Sequence, residues 1–247
     1  MSRVSSVRRE VIAKIHRLGI AETLRLGTAK IFREIFKRDG GQSNEVHPFD
    51  LKYGTDTSKV LEVGALDMAD ERMEHAVRYQ TARVDVYEAL LNELNIPFEE
   101  YIFIDLGSGK GRAMLLASRL PFKAIRGVEL SQQLHRIACQ NISIYRESAQ
   151  RCHDIQSLCE DATCFEFPPE KIVLYMFNPF DEEMMRLVVR NLEKSLRKHQ
   201  KPIYVLYLKA LHRRLFDESE LFCEFKVTDK YVIFQSKETE KMSQGIA

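Results

Sequence analysis

The chain has 247 residues, 45% of them apolar and 30% charged, which is the composition of a soluble globular protein and not of a disordered one. Its formal net charge is only +1, from 37 basic and 36 acidic residues, which argues against a generally basic nucleic-acid binder. That balance hides an asymmetry: residues 1–38 hold ten Lys/Arg and three Glu, a net of +7, and the rest carry 27 basic against 33 acidic residues, a net of −6.

The longest clean apolar run, Ile172–Phe177, is far short of the roughly twenty residues of a membrane span, so no span is expected. The basic N-terminus has no continuous apolar stretch of the secretory type, so a cytoplasmic protein is expected. The five cysteines form no C-x-x-C pair. Cys152, His153, Cys159 and Cys164 fit no standard zinc spacing, so no metal site is expected and the thiols read as free and mostly buried.

In chain order, Val4, Val7, Val11, Ile15 and Leu18 form a helical stripe with a basic opposite face. A second helix is expected over 20–37, ended by Asp39-Gly40-Gly41. From 40 to about 68 the chain reads as mostly irregular, a long loop dense in hydrogen-bonding side chains over Phe49-Asp50-Leu51-Lys52-Tyr53-Gly54-Thr55-Asp56-Thr57. A helix over about 79–95 follows. From residue 100 strands and helices alternate. Strands are expected at Tyr101–Leu106, Ala124–Leu130, Ile155–Cys159, Ile172–Phe177, Ile203–Leu208, Leu221–Val227 and Tyr231–Gln235. Ser131 and Asp181 are the expected caps of two of the intervening helices. The pattern implies an α/β fold, doubly wound, with a parallel sheet covered on both faces. The organisation reads as a helical extension and loop over 1–98 and an α/β domain over 99–247.

The central motif is Asp105-Leu106-Gly107-Ser108-Gly109-Lys110-Gly111, which closes a strand and opens a helix. Glycines there let the backbone approach a ligand, and the helix end offers free N–H groups. Glu129 ends the next strand, where a carboxylate can accept both hydroxyls of a ribose. A dinucleotide fingerprint needs G-x-G-x-x-G, but Arg112 stands where its third glycine would fall. Asp105 would also repel a pyrophosphate, and it suits a cationic amino group.

With these motifs in order, the sequence resembles the class I S-adenosylmethionine-dependent methyltransferases. Asp105–Gly111 resembles the first motif of that family, Val128-Glu129-Leu130 the second, Glu160-Asp161-Ala162 the third, and Phe177-Asn178-Pro179-Phe180 the fourth. The resemblance spans about 100–235. It implies a mostly parallel seven-stranded sheet of order 3-2-1-4-5-7-6, with the last strand antiparallel, and S-adenosyl-L-methionine as cofactor. It further implies that Asp105 holds the methionine amino group and that Gly107, Ser108, Gly109 and Gly111 line the methionine. Glu129 would take the ribose, Leu130 would flank the adenine, and Asp161 and Ala162 would meet its edge. Taken singly, Asp161 reads equally well as a turn cap.

Asn178-Pro179 resembles the Asn-Pro-Pro element of amine-methylating relatives, with one proline missing. The glycine-motif phrase is also similar to the non-SET lysine methyltransferases. These likenesses imply a nitrogen acceptor, a protein lysine among the candidates, with Asn178, Phe180 and Tyr53 shaping its site. Asp56, His75 and Tyr79 are candidate bases or orienters. The alternatives are an RNA or small-molecule methyltransferase, and a non-catalytic cofactor-binding module of the same fold. The basic helices of residues 1–38 read either as a packed cap or as a docking arm for an acidic partner.

Overall fold

The structure is a computed structural model, and it describes residues 47–58 and 84–237. The two expected N-terminal helices, and His75 and Tyr79, lie outside the described residues. The described residues belong to one compact unit. Among the described residues no helix is long and apolar enough to cross a membrane.

The elements in order are α1 (Pro48–Tyr53), α2 (Val84–Asn92), β1 (Tyr101–Leu106), α3 (Arg112–Ala117), β2 (Ala124–Glu129), α4 (Gln132–Ile144), β3 (Ile155–Cys159), β4 (Lys171–Phe177), α5 (Glu182–His199), β5 (Ile203–Leu208), α6 (Arg214–Asp217), β6 (Phe222–Val227) and β7 (Tyr231–Ser236). They build one seven-stranded sheet of order β3-β2-β1-β4-β5-β7-β6. Strands β1 to β5 are parallel, and β7 runs antiparallel between β5 and β6. This is the strand order that the methyltransferase resemblance implies.

All six residues of β1 are buried, as a central parallel strand covered on both faces requires. The strand period of two splits them between two cores. Ile102, Ile104 and Leu106 pack with Ile172, Leu174 and Met176 of β4 under α5. Tyr101 and Phe103 pack with Val173 and Tyr175 in the opposite layer, which also holds Tyr87 and Leu90 of α2, Met114 and Leu115 of α3, and Phe49 of α1.

Local chemistry sets the helix starts. The Ser131 side chain accepts from the Leu134 N–H and caps α4. The Asp181 side chain accepts from the Met184 N–H and caps α5, with Glu182 and Glu183 in the first turn, where the helix dipole favours them.

The stretch read as mostly irregular over 40–68 holds one short helix, α1, which has Pro48 at its first turn, His47 Nδ1 accepting from Phe49 N, and Gly54 at φ +69° closing its end. The expectation of mostly buried thiols fails. Cys139, Cys159 and Cys164 are exposed, Cys223 is half-buried, and Cys152 alone is buried; all five are free.

The sheet order places the functional end of the molecule. Between β1 and β4 the chain order reverses direction across the sheet, and such a switch point leaves a crevice at the carboxyl ends of the two strands. In register, Leu106 pairs with Met176, so the loops that follow these strands emerge side by side.

Candidate functional site

The glycine loop follows β1 directly. Gly107, Gly109 and Gly111 adopt φ of +74°, +54° and +85°, a region that residues with a Cβ enter at a cost of about 1–2 kcal/mol. The Gly107 and Ser108 amides both donate to the carbonyl of Val128, which ties the loop to the end of β2. Gly111 then serves as the N-cap of α3. Ser108 Oγ is buried with no hydrogen-bond partner and lies over Gly127, where a Cβ would meet it at 2.7 Å.

Two carboxylates are buried here. Glu129, 8% exposed, accepts from Gly109 N at 2.8 Å through Oε2 and from Ser131 N at 2.8 Å through Oε1. It therefore joins the glycine loop, β2 and the cap of α4. Asp105 is 3% exposed. Burial, and then the nearby charge of Glu129, pushes its carboxyl well above the ordinary carboxylate range. Two buried acids side by side are costly unless a positive group joins them. The two buried cations that follow in the chain pair with residues 50–56: Lys110 Nζ meets Asp56 Oδ1 at 3.0 Å, and Arg112 Nη2 meets Asp50 Oδ2 at 3.5 Å. Such a carboxylate pair suits a ligand group that brings positive charge.

The loop after β4 closes the other side. Asn178 is buried, with φ +41°, a left-handed conformation that Asn tolerates better than most residues. Its Oδ1 accepts from the Tyr207 hydroxyl at 3.4 Å. Burial pushes the Tyr207 phenol above its ordinary range, with a partly opposing backbone hydrogen bond from His212, so the hydroxyl stays protonated as a donor. Pro179 packs on the glycine loop so closely that a Cβ on Gly107 would lie 2.6 Å from the Pro179 Cβ. The first and fourth motifs are thus in contact. Phe180 is half-buried against the core beneath α5.

The other expected residues fall in different settings. Asp161 Oδ1 accepts from both the amide and the hydroxyl of Thr163, the geometry of a turn cap. Ala162 is buried in the core under α5, and Leu130 is half-buried after β2. Tyr53 is not brought to Asn178 among the described residues. Its ring lies 4.8 Å from those of Phe49 and Tyr145, and its hydroxyl accepts from Arg119. Asp56 sits against the glycine loop through Lys110. Sequence reasoning missed Tyr207, Asn141 and the cationic pair Lys110 and Arg112. Only the basic residues inside the glycine motif carried a signal.

No protein-family model matches the chain, and no curated protein matches it. Solved structures that it resembles include a magnesium protoporphyrin IX methyltransferase from Synechocystis PCC 6803 with bound S-adenosylmethionine, at TM-score 0.45 and 13% identity over 63% of this chain and 78% of that one. A ribosomal protein L11 methylase from Lactobacillus delbrueckii subsp. bulgaricus gives TM-score 0.45 and 13% identity over 65% of this chain and 81% of that one. An RNA methyltransferase from Salinibacter ruber in complex with S-adenosyl-L-homocysteine gives 0.44 and 14% over 68% and 99%. The fold of this chain rests on its own strand order, β3-β2-β1-β4-β5-β7-β6, which is that of the class I methyltransferases.

Proposed function

We propose that the chain is an S-adenosyl-L-methionine-dependent methyltransferase acting on a nitrogen acceptor. The observation that carries this reading is the buried Asp105–Glu129 carboxylate pair beside a glycine loop of positive φ. When bound, the cofactor supplies a methyl group on a sulfonium, a leaving group that needs alignment more than activation.

In this reading Asp105 binds the amino group of the methionine moiety, and Gly107, Ser108, Gly109 and Gly111 let it approach the backbone. Glu129 holds the loop and takes the ribose hydroxyls, since a carboxylate oxygen can accept more than one hydrogen bond. Leu130 flanks the adenine, and Asp161 and the Ala162 amide meet its edge. Asn178 Oδ1 and the Pro179 carbonyl accept from the acceptor N–H groups and turn the nitrogen lone pair toward the methyl. Phe180 walls the acceptor site. Tyr53 becomes a packing residue, because Arg119 and Tyr145 occupy it.

Calorimetry on the full chain tests the cofactor assignment. S-adenosylmethionine and S-adenosylhomocysteine are expected to bind the parent, and Asp105→Asn is expected to weaken both by more than tenfold. Binding of neither to the parent sinks the reading. Methyl-labelling of protein, RNA and small-molecule fractions then identifies the acceptor class, with peptide lysine as one arm. Asn178→Ala is expected to keep cofactor binding and lose turnover; unchanged turnover would refute the acceptor-site assignment.

A further inference from the structure

The cations of the glycine motif are bound to one short segment, residues 50–57, far from them in sequence. Lys110 and Arg112 are 1% and 4% exposed, and burial of a charge is unfavourable unless it is paired and hydrogen-bonded. Lys110 Nζ pairs with Asp56. Arg112 Nε donates to Thr57 Oγ1 at 2.7 Å, and its Nη2 pairs with Asp50. The guanidinium also lies 5.4 Å over the Phe49 ring.

Asn141 of α4 closes the same joint. Its Oδ1 accepts from Asp56 N at 2.8 Å, while its Nδ2 donates to the carbonyls of Asp56 at 3.0 Å and Lys110 at 2.9 Å. One buried amide therefore ties the segment, the glycine loop and α4 through three backbone groups. The segment is itself braced: Asp50 Oδ1 accepts from Thr55 Oγ1, Thr57 Oγ1 and Thr57 N at 2.6–2.9 Å.

A loop with three glycines at positive φ has little local preference to hold that shape, because glycine loses more conformational freedom on ordering than any other residue. The ordering must be imposed by contacts from outside the loop. We propose that residues 50–57 form a strap that holds the glycine loop in its cofactor-receptive shape, with Asp50, Asp56, Lys110, Arg112 and Asn141 as positioning residues. None of them belongs to the Asp105–Glu129 pair. The proposal rests on the reading that this loop binds the cofactor. It also gives Arg112 a purpose: in place of a third glycine, the chain carries a side chain that reaches back to the strap.

The test uses the full-length chain, with S-adenosylhomocysteine as the calorimetric probe and amide hydrogen exchange at residues 107–111. Asp56, whose side chain is 41% exposed, tolerates truncation better than the buried members. Asp56→Ala and Asn141→Ala are each expected to weaken binding about tenfold and to speed apo-state exchange at 107–111, with exchange slowed again on saturation. Asp56→Glu is expected to recover most of the affinity. Lys171→Ala, which removes a surface pair with Glu100 at the opposite end of β4, is expected to leave both readouts unchanged. If the parent binds and Asp56→Ala binds within twofold with unchanged exchange, the strap proposal falls while the cofactor reading stands. If the parent itself does not bind, the cofactor reading falls and the strap goes with it.

Discussion

Gly107→Ala should damage both the fold and the acceptor site, and two independent costs set its size. At φ +74° a Cβ costs about 1–2 kcal/mol. The new Cβ would also stand 2.6 Å from the Pro179 Cβ, a contact inside van der Waals distance against a ring that cannot rotate away. Overpacking of this kind costs about 1–3 kcal/mol. The total is about 2–5 kcal/mol. Gly54→Ala is the matched control: its φ is +69°, and nothing lies within 4 Å of its added Cβ, so only the first cost of about 1–2 kcal/mol applies. Urea unfolding of both variants measures the difference. The relief of strain in Gly107→Ala must push the Asn178–Pro179 loop off the glycine loop, so turnover should fall further than cofactor affinity. If the two variants lose equal stability, or Gly107→Ala loses under about 0.5 kcal/mol, the packing argument for motif contact is wrong.

Three further predictions concern protons and hydrogen bonds. Because the Asp105 carboxyl is raised by burial and by Glu129, a cationic ligand should drive off a proton when it binds, and affinity should rise as pH rises through that pKa. Calorimetry in buffers of different ionisation enthalpy should detect the released proton in the parent and lose it in Asp105→Asn. Burial works to raise the Asp50 carboxyl, but hydrogen bonds from Ser58, Thr57 and Thr55 outweigh it and hold the pKa below the ordinary range. The stability it adds is present above the unfolded carboxylate pKa and lost as pH falls through the folded one, so acid unfolding should begin earlier in the parent than its neutral-pH margin over Asp50→Asn would suggest. Tyr207→Phe removes the donor to Asn178 Oδ1 and should lower turnover about three- to tenfold with S-adenosylhomocysteine affinity unchanged; an equal loss of affinity would place Tyr207 in the cofactor site instead.

The features legible in the residues are those fixed within a few positions of themselves. The strands from 101 to 236, the Ser131 and Asp181 caps and the glycine turn after β1 depend on period-two burial, side-chain oxygens that reach the next turn, and φ angles open to glycine. The same local logic missed α1, because a six-residue helix gains little from periodicity and owes its ends to His47, Pro48 and Gly54. Tyr53 entered the candidate site through the likeness to non-SET lysine methyltransferases, and only the fold shows that its surroundings are Phe49, Tyr145 and Arg119.

Charge shows the same division. The near-neutral total, the basic first 38 residues and the acidic remainder were plain from composition, and the motif order singled out Asp105 and Glu129 as candidate ligand residues. Where the basic residues after the glycine turn find their partners was a matter of tertiary structure. Lys110 and Arg112 lie beside the acids in sequence, yet they pair with a segment 54 and 55 residues earlier, and Asn141 clasps that segment from 85 residues away. Short-range propensity cannot encode such pairings. They follow from burial, which leaves each charge only the partners that the packed chain brings within reach.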